Sequence, residues 1–522
     1  MTMPISQFKY LLLSFLLLPI FAQAQLSPKE IDQLMEKALK AFHVAGASIA
    51  IVKDGKVLMA KGYGVKSILS SEPADENTNF QIASNSKAFT TAALAILVDE
   101  GKLAWTDKVV KIIPEFKMYN DYVTANFTIE DLLSHRSGLG PGAGDLMLFP
   151  EGSDFTITDI ARNFQYFKPT SAFRTHFQYD NKLYLVAGEV VARLSGMSWE
   201  AFVQQRILDP LQMSNSSASL ASLKDKISLA SPHSTATDTL KVIARFGDMI
   251  NGAAGGIVSN ANDMSKWLLM HLNSGSYGTT PAKQLFTELS HKQMWTIHTV
   301  EEANWSSKYN THFSGYGMGW ALCDIKGNLS VSHAGGLPGM LSIVHMIPDL
   351  KLGIVILTNT EDGGTGVFSA VSQTIIDSYL GLKDAGWIRL YAAMWEAQKN
   401  PVDSISQKVW EKVALEKTRP INKEDFVGIY EDKWFGKVEV FVKDGQLWFK
   451  CCRSPKLSGP MSFYKDNTFA IKWEYQQRNA DAFAIFSTDS AGKAQSIKMK
   501  GISPYIDNDF DFQDLDLQRV GR

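Results

Sequence analysis

The sequence predicts an α+β fold followed by a small all-β module. Three observations carry that expectation: a strand hairpin near the start, at residues 47–62; a second group of strand-like runs far down the chain, at 329–358; and helical pattern at both ends of the segment that holds them. A sheet whose strands come from the two ends of one segment implies a helical insertion between them.

The elements follow in order. Ser27 is a natural N-cap with Pro28 at the first helical position, and Ile31, Leu34, Met35, Ala38 and Leu39 recur at helical spacing as far as Phe42. Strand-like runs at 47–53 and 56–62 are joined by Asp54-Gly55, the dipeptide most favoured in two-residue hairpins. A helical run at 88–100 closes with Gly101 and Lys102, and another spans 183–194. Strands return at 329–333, 341–347 and 352–358, the last two separated by Pro348-Asp349, and helical pattern resumes at 366–380. Residues 383–420 read as a linker with some packed helix around Trp387. From 421 to 522 short alternating runs and the turn Lys443-Asp444-Gly445 indicate a small sheet or barrel.

Composition narrows the function. Fifty-two Lys and Arg against 54 Asp and Glu leave a net charge of -2, so there is no basic excess to neutralise a phosphate backbone, and nucleic acid is not expected as a partner. The aromatic share of 11% and the absence of long biased tracts mark an ordered chain. Three cysteines, two of them the neighbours Cys451 and Cys452, make no disulfide framework, and the histidines have no metal-ligand spacing, so neither metal nor cofactor is expected. Lys9, the apolar run 10–21 and Ala22-Gln23-Ala24 read as an export signal over residues 1–24, removed on secretion. No later run approaches the roughly 20 apolar residues of a membrane span, so no transmembrane anchor is expected after signal removal, and the protein is expected in the periplasm or secreted.

Common catalytic signatures are missing: there is no Gly-x-Ser-x-Gly, no His-Glu-x-x-His and no phosphate-cradling loop. Ser-x-x-Lys occurs at Ser6, Ser84, Ser462 and Ser490, and only Ser84 opens a helix. There Ser84 and Lys87 lie one turn apart on one face, close enough to exchange a proton, with helix amides aimed at any oxyanion that forms. Phe177-Gln178-Tyr179-Asp180-Asn181 holds the chain's only Tyr-x-Asn, just before a helix, and Ser332-His333-Ala334-Gly335-Gly336 its only His-x-Gly, at the end of a strand. Glycines there let a substrate approach the strand edge closely. Singly, Ser84 could be a helix cap, Tyr179 a core tyrosine and His333 one of ten histidines. Together and in this order the three elements weigh against those separate readings.

With these motifs the sequence resembles the serine β-lactamase and penicillin-binding protein superfamily, in its class C-like branch, over roughly residues 28–382. Three further phrases carry the resemblance: Leu132-Leu133-Ser134-His135-Arg136-Ser137-Gly138-Leu139, Ala254-Gly255-Gly256-Ile257-Val258-Ser259, and Tyr316-Gly317-Met318-Gly319-Trp320. The C-terminal module looks like the lipocalin-like domain some members append. The resemblance implies a β-lactamase/transpeptidase-like antiparallel sheet flanked by helices over 25–382, with an inserted helical subdomain. It also implies an exported serine hydrolase in which Ser84 is acylated, Lys87 and Tyr179 share the proton transfers, and Asn181, His333, Gly335 and Gly336 bind substrate. The backbone N–H groups of Ser84 and Gly336 would form the oxyanion hole.

His333-Ala334-Gly335 stands where β-lactamases usually carry Lys-Thr-Gly, so two groups that would grip a substrate carboxylate are missing. The expected substrate is therefore a peptide, cell-wall peptide included, a D-amino-acid amide or an ester, with β-lactam-type compounds within the class. The alternative is a penicillin-binding sensor that acylates without efficient turnover. N-terminal sequencing of protein recovered outside the cytoplasm is expected to begin at Gln25, and an intact Met1 in that fraction would overturn the export signal.

Overall fold

The computed structural model describes residues 25–521, apart from 236–238, 248–249, 279–280, 304–307, 399–402 and 477–478. The expected export signal at 1–24 lies outside the described residues. The first helix, α1 (Pro28–Ala41), is closed by a capping box between Ser27 and Glu30, and its predicted stripe buries Ile31, Met35, Ala38 and Leu39. Strands β1 (Gly46–Lys53) and β2 (Lys56–Gly64) turn through Asp54 and Gly55, both with positive φ, as a two-residue hairpin requires.

Three long helices follow: α2 (Ser86–Asp99), α3 (Asn181–Ser195) and α4 (Ala261–Leu272). Strands then return as β3 (Thr299–Glu301), β4 (Ser314–Tyr316), β5 (Ala321–Ile325), β6 (Asn328–Leu337), β7 (Met340–Ile347) and β8 (Leu352–Thr358). They form one antiparallel sheet in the order β2-β1-β8-β7-β6-β5-β4-β3, so the first hairpin pairs with the last strand, Ala47 opposite Thr358 through Lys53 opposite Leu352. The predicted split sheet is therefore present. Two readings change: β3 to β5 were not anticipated, and β6 runs on to Leu337, which puts His333 inside a strand and not at its end. The glycines at 335 and 336 weaken strand propensity, but their neighbours across the ladder, Ser342 and Leu341, hold them in register.

Alternation sorts each strand between two cores. Ile49, Ile51, Ile354 and Ile356 face one side, where α1 and α5 (Gly363–Tyr379) cover them through Met35, Val367, Val371 and Ile375. Ala50, Val52, Val355 and Leu357 face the other side and pack under α2 and α4, where Phe89 and Trp267 stack at 3.8 Å between ring centroids. Because both faces of β8 are covered, all seven of its residues are buried, which explains its unbroken apolar run. Helix α2 is likewise buried from Ser86 to Leu97, so the Ser84–Lys87 motif enters the molecule on a helix surrounded by protein.

The region 383–420 holds two helices, α6 (Trp387–Gln398) and α7 (Ser404–Leu415). Beyond it lies a closed eight-stranded antiparallel barrel that begins with β9 (Gly428–Asp432) and ends with β16 (Asp516–Gly521), the last strand pairing back onto the first. Its buried side chains include Tyr430, Val440, Phe449, Phe469, Phe486 and Leu517. It docks on the insertion: Trp434 and Phe435 pack on Phe167 and Phe155, Asn163 Nδ2 donates to the Trp434 carbonyl at 2.9 Å, and Arg453 pairs with Asp154 and Asp159 at 2.6 and 2.8 Å.

Candidate active site

Ser84 sits in a 3-10 turn, Ala83–Asn85, that runs straight into α2. The residue before it, Ala83, has a φ of 49°, a left-handed conformation that costs a non-glycine residue energy and that the surroundings must enforce. They do so from β7: Ser342 Oγ donates to the Ile82 carbonyl at 2.7 Å and receives a hydrogen bond from Asn85 Nδ2 at 2.8 Å. Strand β6 closes the other side. A Cβ on Gly335 would lie 2.3 Å from the Ile82 carbonyl oxygen and 3.0 Å from the Ser84 nitrogen, so this position takes only glycine if the serine turn is to touch the strand.

Lys87 is fully buried one turn on from Ser84. Its Nζ lies 3.0 Å from Ser84 Oγ, 2.8 Å from Asn181 Oδ1 and 2.9 Å from the Ala254 carbonyl oxygen. Tyr179 and Tyr184 flank it, with ring centroids 4.8 and 5.4 Å from the nitrogen. Burial pushes its pKa down to about 7, against the pull of the carboxylates of Asp145, Asp180 and Asp509. Near neutral pH a large fraction of Lys87 is therefore an uncharged amine able to accept the Ser84 proton.

Tyr179 is partly buried where it lines the cleft, and desolvation raises its pKa well above the ordinary phenol value, with a hydrogen bond to Ser84 opposing in part. With these shifts Lys87 is able to accept a proton near neutral pH, and Tyr179 stays protonated and able to donate one. The ring is held by His135, whose centroid is 4.3 Å away and whose Nδ1 accepts from the Asp180 backbone N–H at 3.1 Å. Asn181 opens α3 and ties Lys87 to Asp145, its Nδ2 donating to Asp145 Oδ2 at 3.2 Å.

His333 stands apart. Its Nδ1 donates to the Ala334 carbonyl at 2.6 Å, which leaves Nε2 to accept from Tyr316 OH at 2.9 Å. Burial, with Lys87 nearby, pushes its pKa down to about 3, so the ring is neutral. With both nitrogens bonded within the protein, His333 braces β6 against β4. Gly335 supports the serine turn, and Gly336 alone of that trio lines the cleft.

The cleft, about 380 Å³, is lined by Ser84, Tyr179, Asn181 and Gly336, and by Asp145 and Gly255. Sequence reasoning missed two contributors. Asp145 and Lys182 form a buried ion pair at 2.6 Å directly behind Asn181; the only hint was a lysine following Tyr-x-Asn. Residues 507–509 of the barrel also line the cleft, and nothing in their local sequence signals it. The three flanking phrases turn out to hold the site: Ala254 accepts from Lys87, His135 seats Tyr179, and Tyr316 fixes His333. Among the described residues no cluster of three or more metal-ligating side chains occurs.

Comparison with known proteins identifies the family and the fold. Residues 31–371 match the family model Beta-lactamase, and residues 416–519 match a domain of unknown function, DUF3471. The chain is 26% identical to an unguisins hydrolase of Aspergillus violaceofuscus over 80% of its own length and 77% of that protein's. It is 28% identical to protein flp of Staphylococcus aureus over 64% of its length and 63% of that protein's. Its fold is similar to that of the octameric penicillin-binding protein homologue from Pyrococcus abyssi, at a TM-score of 0.58 and 21% identity, covering 94% of this chain and all of that one.

Gly335→Ala is expected to lower kcat/KM about a hundredfold, because the strand must back away from the serine turn. Steady-state kinetics beside a thermal melt check this, and near-native turnover would show that the contact does not position Ser84.

Proposed function

The chain belongs to the beta-lactamase family and is a serine hydrolase, and we propose that it cleaves ester or amide bonds through an acyl-enzyme on Ser84. One observation carries the reading: an amine with a pKa of about 7 lies 3.0 Å from the hydroxyl of a serine on an enforced turn. Neutral Lys87 takes the proton as Ser84 Oγ bonds to the substrate carbonyl carbon. The backbone N–H groups of Ser84 and Gly336 would hold the oxyanion, each contributing about 3 kcal/mol. The leaving nitrogen or oxygen departs with a proton delivered through Tyr179, which regains one from Lys87. Water then adds to the acyl-serine, giving up a proton by the same route, and Ser84 leaves reprotonated.

The buried, neutral His333 and the methyl of Ala334 offer no cation or hydroxyl to a carboxylate, which supports peptide, D-amino-acid amide and ester substrates over dedicated β-lactam hydrolysis. The export pattern in residues 1–24 supports action outside the cytoplasm, on cell-wall peptide among other substrates.

Intact-protein mass spectrometry during turnover of an activated ester is expected to show a transient acyl adduct that decays to the free mass. Ser84→Ala should lose the adduct and at least about a thousandfold in rate. A persistent adduct would instead favour the sensor, and an adduct in the variant would remove Ser84 from the role. Because the base must be uncharged, kcat/KM should rise with pH, tenfold per unit below about pH 7, and level off above. A rise continuing past pH 9 would assign the proton to Tyr179.

A further inference from the structure

Lys182 is a buried charge with no part in the proton transfers described above. It sits in the first turn of α3, where the helix macrodipole disfavours a cation, and its side chain is cut off from solvent. Two buried carboxylates hold it there, Asp145 at 2.6 Å and Asp180 at 3.0 Å. Burial disfavours the ammonium, but Asp145 and Asp180, with Asp511 of the barrel, outweigh that penalty and raise its pKa, so Lys182 stays charged.

Three carboxylates thus surround one lysine, and carboxylates short of cations draw protons. Burial pushes Asp511 up to about 7 and raises Asp180, whose Oδ2 has no hydrogen-bond partner among the described residues. Lys87 is the other place where a proton can settle, and a single side chain separates it from the cluster. Asn181 accepts from Lys87 Nζ through Oδ1 at 2.8 Å and donates to Asp145 Oδ2 through Nδ2 at 3.2 Å, while Asp145 Oδ1 receives Lys182.

The other groups that face Lys87 carry no charge near neutral pH. Desolvation pushes Tyr179 and Tyr184 up and His135 and His333 down, so the phenols stay protonated and the imidazoles neutral. Asp145, Asp180 and Asp509 remain, and each favours the Lys87 ammonium. Lys182 lies against the first two of them and offsets their pull.

Resting on the hydrolase reading above, we propose that Lys182 is an electrostatic positioning residue: by neutralising Asp145 and Asp180 it keeps Lys87 in the uncharged form that takes the Ser84 proton. Without it, Asp145 would be left with the ammonium of Lys87, reached through Asn181, as its compensating cation. An uncompensated charge this close in a buried site shifts a pKa by about one to three units. The residue that follows Tyr-x-Asn therefore sets the pH at which the enzyme begins to work.

The test follows kcat/KM for p-nitrophenyl butyrate on the full mature chain from about pH 5.5 to 9.5, at constant ionic strength and at the isosbestic wavelength of the product. Lys182→Gln is expected to move the rising limb up by about one unit or more, so that the rate at pH 7 falls to about a tenth of the plateau. Asp145→Asn removes a carboxylate and leaves Lys182 its bond to Asp180, and should move the limb down. Combining the two replaces the ion pair by a neutral pair and should bring the limb back towards its native position. An unmoved limb in Lys182→Gln, with only the height of the plateau changed, would mark a purely structural role and overturn the proposal. Should Lys182→Gln fail to fold, as a thermal melt would show, the limb of Asp145→Asn decides, and an unmoved or raised limb there would overturn the proposal equally. An acyl-Ser84 adduct in the native enzyme, seen by mass spectrometry alongside such a result, would leave the hydrolase reading standing. Absence of both adduct and turnover would bring down both.

Discussion

The burial of the Lys87 ammonium is the constraint on which the rest of the site depends. An isolated charge in that position would cost several kcal/mol, and the molecule lowers the cost in two ways: three oxygen acceptors surround the nitrogen, and the pKa falls until the uncharged form is accessible. Each acceptor comes from a different part of the chain, so satisfying one lysine fixes the mutual positions of the serine turn, the start of α3 and the 252–257 turn. Neighbouring bonds reinforce that closure. Thr90 Oγ1 donates to the Ala253 carbonyl at 2.6 Å, and the Ile257 N–H donates to Ser86 Oγ at 3.1 Å, so α2 is a partner in both bonds, as donor in the first and acceptor in the second. The same desolvation that lowers the Lys87 pKa raises that of Tyr179, so one physical cause moves the two groups apart.

Behind this first layer stands a second buried pair, Lys182 with Asp145 and Asp180 at 2.6 and 3.0 Å. Asp145 joins the two layers, since it receives Asn181 Nδ2 as well as Lys182. Its own segment, 142–147, is in turn gripped by Asp511 from the barrel. Lys87, the buried pair and the appended domain therefore form one connected polar path. The apolar core is equally continuous, running from the sheet face under α2 through Phe155 and Phe167 to Trp434 and Phe435 of the barrel. A domain held by this much packing and hydrogen bonding behaves as part of the enzyme and not as a tethered passenger.

Much was legible in the sequence where local physics decides. The α1 stripe, the Asp54-Gly55 hairpin and the apolar run of β8 were readable because periodicity and turn chemistry are short-range. The motifs at Ser84, Tyr179 and His333 were readable because each is a rare pattern beside a helix or strand. The short strands β3 to β5 were not, since three to five residues carry too little periodicity and their pairing comes from β6.

By itself, then, the sequence determined the fold class, the order of the catalytic motifs and the absence of a lysine at position 333, because these depend on residue identity and near neighbours. Only the tertiary structure decided which groups titrate and which touch the cleft. The Lys87 pKa follows from burial that no local pattern encodes, and the commitment of both His333 nitrogens follows from Tyr316 on another strand. Residues 507–509 line the same cleft as Ser84 from more than four hundred positions away in the chain, an arrangement created by docking one folded body on another, for which a linear sequence carries no local signal.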